Sequence, residues 1–567
     1  MTPDRIDTDQ TDTFVADVIA AADAEAARLL QSPTDVSTAP LGPHRESMRR
    51  AKLLTAVFLE EGSAFAGSPA VVELAETYAR ILHDLQSPTG LFLGGDNVES
   101  PPDTGFTIND LGDILELARR SGDTRLDRVA EILGGIADRA APAMLAGGVH
   151  TPNHRWELSA ALVRLHRHRP DPRLEARARE WLAEGVDIDA DGLYSERSAN
   201  YAVYVSNPSL LLISDVLDLP ELRDVVARNL ESTLGLIHPD GSVETVHSRR
   251  QDQREPRFPL APYALHYRRL ALETGRGDLA WAARVAASAA VIDPQTALAD
   301  MLLHPALREP LPAATPPADR ARNVWPVSGL VIDRTPEREL TVFGGSDYAV
   351  ARRIRSGLAS NPTFLRMFAG DAVLESVRLS RHFFGLGPFR ADRMTVDEGR
   401  IVLEEHLSPA YFGPMDAAHR RPGGDYRVVD EGRFSAAMSF DERPRHEVPL
   451  HTRIELVPTE DGVEVTLETD GPICAWNLEF AFRAGGAFED VTAAADGTAV
   501  LVSGSARYRV GADAIEVGPG TGSTAAAGYL PGEDYDYLGG TDALGGPRLY
   551  VTGTTPGRTT VTLRRVR

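Results

Sequence analysis

The sequence predicts an α+β chain of two parts: an incomplete (α/α) toroid over residues 1–304 and an antiparallel β-sandwich over 325–567, joined by a Pro- and Ala-rich linker at 305–324. Three observations carry this reading. Apolar residues recur at every third and fourth position through the first half of the chain and at every second position through the last. The change of period falls at HPALREPLPAATPPADR, residues 304–320, a composition that continues neither pattern. Helices come first and strands second, whereas a mixed α/β domain would interleave them.

The helical pattern runs through TFVADVIAAADAEAARLL, VVELAETYARILHDL, TINDLGDILELARR, RWELSAALVRLHRH and ELRDVVARNLESTLGLI. Breaks rich in Gly, Pro and Asp separate these segments: SPTG at 87–90, SPPD at 100–103, RPDPR at 169–173 and HPDG at 238–241. Ten or more helices in series, joined by loops of varied length and without a strict repeat, fit a solenoid or a toroid. Beyond the linker, SGLVIDR, RELTVFGG, AVLESVRLS, GRIVLEEHL, TRIELVP, GVEVTLETD, TAVLVSG and TTVTLRRV alternate apolar and polar residues, with EDG, ADG and TPG turns between strands.

At 567 residues the chain is too long for a single core, and with 43% hydrophobic and 25% charged residues it has the composition of a globular protein. Acidic residues outnumber basic ones 82 to 59, a formal charge of −23, which argues against broad capture of nucleic acid or an anionic membrane. Lys52 is the only lysine, so nearly all the positive charge is Arg, whose planar fork suits carboxylates. A single cysteine, Cys474, excludes an intrachain disulfide and a thiolate metal cluster. The opening MTPDRIDTDQTDTF has no signal-peptide pattern and no segment has the apolar length of a membrane span, so the expected location is cytoplasmic. No HExxH, Walker loop or Gly-rich dinucleotide turn appears, so no cofactor is expected.

Two stretches stand apart from ordinary core. Asp191 to Asn207 reads DGLYSERSANYAVYVSN, and Thr151 to Glu157 reads TPNHRWE. They bring an amide, an imidazole, an Arg, a Glu and three tyrosines to the starts of two predicted helices, where side chains converge on a cleft more often than on a packed interior.

A helical toroid followed by a sandwich resembles the heparinase II/III and alginate lyase group of polysaccharide lyases. DGLYSERSANY is similar to that group's Asp-Gly, aromatic, Glu-Arg-Ser, Tyr segment, and PNHRWE to its Asn-His helix start. The chain departs from the pattern at Ala202, where the group often has His. The resemblance implies an acidic oligosaccharide or polysaccharide as substrate, cleaved beside a uronic acid by β-elimination. Three tasks follow: holding the uronate so that enolate-like charge can develop, removing the proton at C5, and protonating the leaving oxygen at C4.

For the first task the candidates are Asn153 and His154, with Thr151 capping the helix and Pro152 in its first position, so that free N–H groups and the helix dipole favour an anion. Tyr201 is the candidate base, with Tyr204 one turn on and nearly on the same face. Glu196 and Arg197 read as an ion pair or backbone clamp, and both, with Tyr204 and Trp156, count among the expected substrate-binding residues. HSRRQDQREPR, residues 247–257, offers a positive wall in which Arg249 and Arg250 would meet carboxylates or sulfates and His247 would donate the leaving-group proton; a solvated run of internal ion pairs is the alternative. LGGDNVESPPDTGFTIND, residues 93–110, reads as a long loop in which Asn97 and Asp103 would bond sugar hydroxyls and Phe106 would stack on a ring, or as a cap for the next helix. His382, at the end of a predicted strand, is a further acid by resemblance. A glycoside hydrolase using two carboxylates among Asp96, Asp103, Asp110, Glu157 and Glu196, or a non-catalytic carbohydrate-binding protein, are the competing readings.

Overall fold

The computed structural model describes residues 12–32, 35–94, 98–255, 257–351, 357–433, 435–531 and 545–567. Helices fill the first part up to Leu303 and strands the second from Ala321, matching the change of period in the sequence. Pro43, Pro69, Pro101, Pro172 and Pro294 each open a helix, where the missing N–H costs nothing because the first-turn donors have no intrahelical partner.

The helices form two layers. Pro43–Leu59, Pro101–Ser121, His154–His168 and Asn207–Leu217 pack one against the next on the inside, while Pro69–Leu85, Asp127–Ala146 and Pro172–Leu182 alternate with them outside. Inner helices are buried almost all round: Pro43–Leu59 places Met48, Ala51, Leu53, Leu54, Ala56 and Val57 in the core, against a single buried face on Pro69–Leu85. Among the described residues no helix is long and apolar enough to cross a membrane.

The second part is two eight-stranded sheets. One runs in spatial order Ala321–Trp325, Leu330–Arg334, Glu339–Phe343, Leu365–Ala369, Ala372–Arg381, Ala475–Phe482, Arg548–Thr554 and Thr498–Val500. The other runs Arg393–Val396, Ile401–Leu407, Leu450–Pro458, Gly462–Asp470, Gly557–Val566, Asp513–Gly518, Ala506–Val510 and Ala487–Glu489. The pairing is antiparallel except between Thr498–Val500 and Arg548–Thr554. The segment after the last helix is not a free spacer: Thr315 N donates to Gly277 O at 2.8 Å, and Arg268 donates to Leu307 O and Glu309 O.

The first sheet is covered on both faces. Along Leu330–Arg334, Val331 points into the sandwich core while Leu330 and Ile332 join the helical core with Trp325 and Phe343. The two-residue period therefore feeds two cores at once, which is why Leu330, Val331 and Ile332 are all apolar and buried. Trp325 closes the contact, its ring so near Gly235 that a Cβ there would lie 2.7 Å from it, and its indole N–H donates to Ser232 Oγ at 2.9 Å.

A buried ionic seam runs through the same interface. His238, from the helical part, has Nδ1 against Glu339 and Nε2 3.1 Å from Glu244 Oε2. Glu244 takes two bonds from Arg366 Nη1, at 2.9 and 2.8 Å, and Arg366 reaches Glu375 at 2.7 Å. Arg483 ties Glu375 to Asp240, the latter at 2.8 Å. Burial works against a charge on His238, but Glu339 and Glu244 outweigh it and raise the imidazole to about 9. A histidine raised from 6.5 to about 9 stabilises the fold fully below 6.5, and the contribution disappears as pH climbs through about 9. Thermal unfolding of the natural chain and of His238→Gln should therefore differ most below pH 6.5 and converge toward pH 9; a gap that widens with pH would contradict this account of the seam.

Candidate active site

The helix His154–His168 begins at Asn153, its N-cap, and not at Pro152 as the sequence suggested; Pro152 lies in the turn before. Thr151 does not cap the helix but donates from Oγ1 to Asn153 Oδ1 at 2.7 Å. In this orientation the amide turns its oxygen to Thr151 and its nitrogen away from it. Asn153 is only 2% exposed, and its Nδ2 is a buried donor with no partner among the described residues. A buried amide donor without an acceptor costs about 1–3 kcal/mol, and this one is left able to bond an acceptor that the described residues do not supply.

His154 lies beside it, edge-on to His150 at 4.8 Å and to Phe106 at 6.4 Å between ring centres, with Nδ1 also unpartnered. Burial first, and then the charges of His150, Arg250 and Arg45, push its pKa down to about 4. It is therefore a neutral imidazole near pH 7, able to hydrogen-bond a carboxylate but not to neutralise one.

Tyr201 closes a short turn, Ala199–Tyr201, whose N-cap Ser198 accepts from Tyr201 N at 3.1 Å. The next five residues, Ala202–Ser206, form a π turn, with Asn207 N bonded back to Ala202 O. Pro208 explains the change of ladder, since it has no N–H to give to the turn before it. Asn207 is pinned by Tyr194 Oη at 2.7 Å and by its own bond to Asn229 Oδ1 at 3.1 Å. The Asp-Gly of the motif serves this anchorage: Gly192, at φ +80°, sits so close to Arg228 O that a Cβ would be 2.9 Å from it, and its carbonyl accepts from Asn229 Nδ2 at 3.2 Å.

Arg250 links the two stretches. Its guanidinium carbon sits 4.2 Å above the Tyr201 ring, its Nη1 pairs with Glu196, and its charge is one of those felt by His154. The helix His154–His168 also packs against the π turn. The phenol oxygen of Tyr201 has one weak neighbour, Gln251 Oε1 at 3.5 Å, so it is nearly free to meet a substrate. Burial raises the Glu196 carboxyl although Arg250 opposes the shift. The structure thus brings Asn153, His154, Tyr201, Arg250 and Glu196 into one neighbourhood.

Other expected residues lie elsewhere. Trp156 is fully buried and donates from Nε1 to Asp187 Oδ1 at 3.2 Å, so it is core and cannot stack on a sugar. His247 is 1% exposed and lines a small pocket with Tyr194, Arg197, Glu244 and Tyr263; burial pushes it down to about 4, so near pH 7 it is not in the protonated form expected of a leaving-group acid. His382 is exposed at the end of Ala372–Arg381, its N–H bonded to Ala475 O at 2.9 Å, and among the described residues its ring makes no bond to the helical part. Arg249 does not line a positive wall. It holds Asp347 of the sandwich by two bonds of 2.8 and 2.9 Å.

Arg197, at φ +49°, is a domain clamp whose Nη2 donates to Val327 O at 2.9 Å. It does not pair with Glu196. Tyr204 is 40% exposed, and burial of its inner part, with Asp293 nearby, pushes its phenol up to about 12. The extra residue of the π turn separates it round the axis from Tyr201, so the two do not share a face as an α-helix would have them. The loop expected over 93–110 ends at Ser100, whose Oγ accepts from Asp103 N at 3.3 Å; Asp103 and Phe106 belong to the first turns of Pro101–Ser121. Asn97 and Asp96 lie outside the described residues.

The remaining carboxylates of the hydrolase reading are engaged. Glu157, raised to about 7 by burial, accepts from Asn109 Nδ2 at 2.6 Å, and Asp110 pairs with Lys52 at 2.8 Å. Sequence reasoning overlooked Asp252, Gln251, His150 and Arg45. Asp252 is the most consequential for geometry: its buried carboxylate accepts from Ser198 Oγ at 2.9 Å, Asn200 N at 3.2 Å and Ser248 Oγ, holding the turn that carries Arg250 against the turn that carries Tyr201. Its only signal was an acid set among four arginines.

No family model matches the sequence, and no curated protein does. Solved structures match along nearly the whole chain. Chondroitin AC lyase from Streptomyces coelicolor A3, in complex with chondroitin sulphate, superposes with a TM-score of 0.53 at 15% identity over 99% of this chain and 80% of its own. Xanthan lyase from Paenibacillus does so with a TM-score of 0.57 at 9% identity over 98% of this chain, which spans only 57% of that enzyme's length. The chain shares the fold of these lyases. At such identities the likeness is one of architecture, an α/α toroid carrying a sandwich, and says nothing of individual side chains.

Replacing Asp252 by Ala strips acceptors from two buried hydroxyls and a backbone N–H, and should lower the unfolding free energy by about 1–3 kcal/mol. Hydrogen exchange should quicken at residues 198–206 first; unchanged protection there would mean that Asp252 does not hold the turn.

Proposed function

We propose that the protein is a polysaccharide lyase that cleaves a uronate-bearing glycan by β-elimination. The observation that carries this reading is the buried Asn153 amide, its oxygen turned to Thr151 and its N–H donor without a partner among the described residues, next in sequence to the His154 that feels the charge of Arg250, the residue stacked on the Tyr201 phenol. A uronate carboxylate placed on Asn153 Nδ2, with the neutral His154 alongside, would present its C5–H toward Tyr201. The shared fold with two polysaccharide lyases supports the same class of reaction.

In this mechanism the Tyr201 oxygen, in its phenolate form, takes the proton from C5. The C4–O bond breaks, a C4–C5 double bond forms, and the leaving oxygen receives a proton. Tyr201 itself is the group that returns the proton, so one oxygen serves as base and then as acid. Charge that builds on the substrate during proton removal is met by the Asn153 donor and by Arg250, itself oriented by Glu196. Burial lets such donors act with little competition from water.

Incubation with a panel of uronate oligosaccharides should produce ultraviolet absorbance from the new double bond. Reducing ends without absorbance would refute the lyase reading and leave a hydrolase. Tyr201→Phe should cut turnover by about two to four orders of magnitude with the unfolding temperature unchanged. Asn153→Asp, which exchanges the free donor for an acceptor facing the uronate, should lose about two to three orders of magnitude; activity within a few-fold of the natural enzyme would remove Asn153 from the mechanism.

A further inference from the structure

Most arginines of this acidic chain are neutralised where they stand, but among the described residues Arg45 has no such partner. It lies in the first turn of Pro43–Leu59, partly exposed, with its guanidinium carbon 4.0 Å above the Phe106 ring. Among the described residues it has no hydrogen bond and no carboxylate within 4.0 Å. Its charge is felt by His44, His154 and Glu157, which places it on the His154 side of the candidate site, with Phe106 edge-on to His154 between them.

Two cations therefore flank His154, and they are not alike. Arg250 is paired with Glu196 and stacked on Tyr201, while Arg45 is stacked on Phe106 with its donors uncommitted. The aromatic face fixes the plane of the Arg45 guanidinium and covers one side of it, leaving the edge N–H groups for a ligand. A planar fork held in this way matches an oxyanion with two acceptor oxygens. The histidines around it, His44 and His154, are neutral near pH 7 and add no competing charge.

We propose that Arg45 is a specificity residue that binds a second oxyanion of the glycan, on a sugar adjacent to the uronate held by Asn153. The inference rests on the lyase reading and deepens it: the preferred substrate carries anionic groups on neighbouring sugars, as sulfate esters or as consecutive uronates, and not one carboxylate on every second sugar.

The test is binding and turnover of the full chain with three tetrasaccharides: unsulfated chondroitin, its sulfated form and a tetragalacturonate. Arg45→Gln should weaken calorimetric affinity for the sulfated or the all-uronate ligand about tenfold or more, raise KM for it with kcat nearly unchanged, and leave the unsulfated ligand within about twofold. Which of the two polyanions loses affinity tells sulfate from carboxylate. Arg45→Lys, which keeps the charge without the fork, should recover part of the loss and controls for folding. An equal effect of Arg45→Gln on all three ligands, or none on any, overturns the proposal. Selective weakening without any ultraviolet product would uphold Arg45 as an anion site and count against the lyase reading alone. Turnover with indifference to Arg45 would do the reverse.

Discussion

The geometry of the candidate site depends on a set of charges that never touches it. The seam of His238, Glu244, Glu339, Arg366 and Glu375 lies between toroid and sandwich, sealed from water. Buried pairs of this kind gain little net stability over apolar packing, but losing one partner leaves an uncompensated charge and is expensive. Their effect is to fix a register. Residues 235–253 are pressed onto one sheet by Gly235 against Trp325, Glu244 against Arg366 and Arg249 against Asp347, and Arg250 follows directly after the last of these contacts. The sandwich acts on the chemistry by deciding where Arg250 can sit.

That arrangement also resolves an apparent conflict of charge. A chain with net charge −23 is a poor collector of polyanions by long-range attraction. Under the proposed function, recognition of an acidic sugar would come from short-range, desolvated contacts. The site supplies them with an amide donor, neutral imidazoles and guanidinium groups laid on aromatic rings, while carboxylates such as Glu157 and Glu196 are held by Asn109 and Arg250. Many arginines outside this patch are spent on ion pairs along helix surfaces and across strands, where they sustain the fold.

How much was legible in the sequence follows the range of the interactions involved. The two halves and the order of helices and strands come from local periodicity, whereas SPPD, read as a break within a loop, proved to be the helix start itself. The Asn-His and Asp-Gly motifs were visible for the same reason: each is a short-range device, a pinned amide in one and a tight turn in the other. What sequence reasoning misplaced depends on contacts across tens of residues. Arg249 looked like part of a basic wall because Asp347 lies 98 positions away. Trp156 and His247 looked like site residues because burial is a tertiary fact, and the π turn that separates Tyr204 from Tyr201 arises from a ladder change no period count registers. Arg45 had no signal at all, since an unpaired charge is defined by what fails to surround it.

The lone lysine deserves a last thought. Lys52 is buried in the inner helix layer, with Asp110 at 2.8 Å and Asp113 at 2.7 Å, and these acids outweigh burial and hold its ammonium well above the usual range. Arg164 shares Asp113, so the amine is one node of a wired interior. With no other ε-amine in the sequence, the folded surface offers nothing to reagents or enzymes that acylate, biotinylate or conjugate through lysine. Immobilising or tagging this protein along its length has to go through its carboxylates, its arginines or Cys474, and any side-chain amine that does react reports that the toroid has come apart.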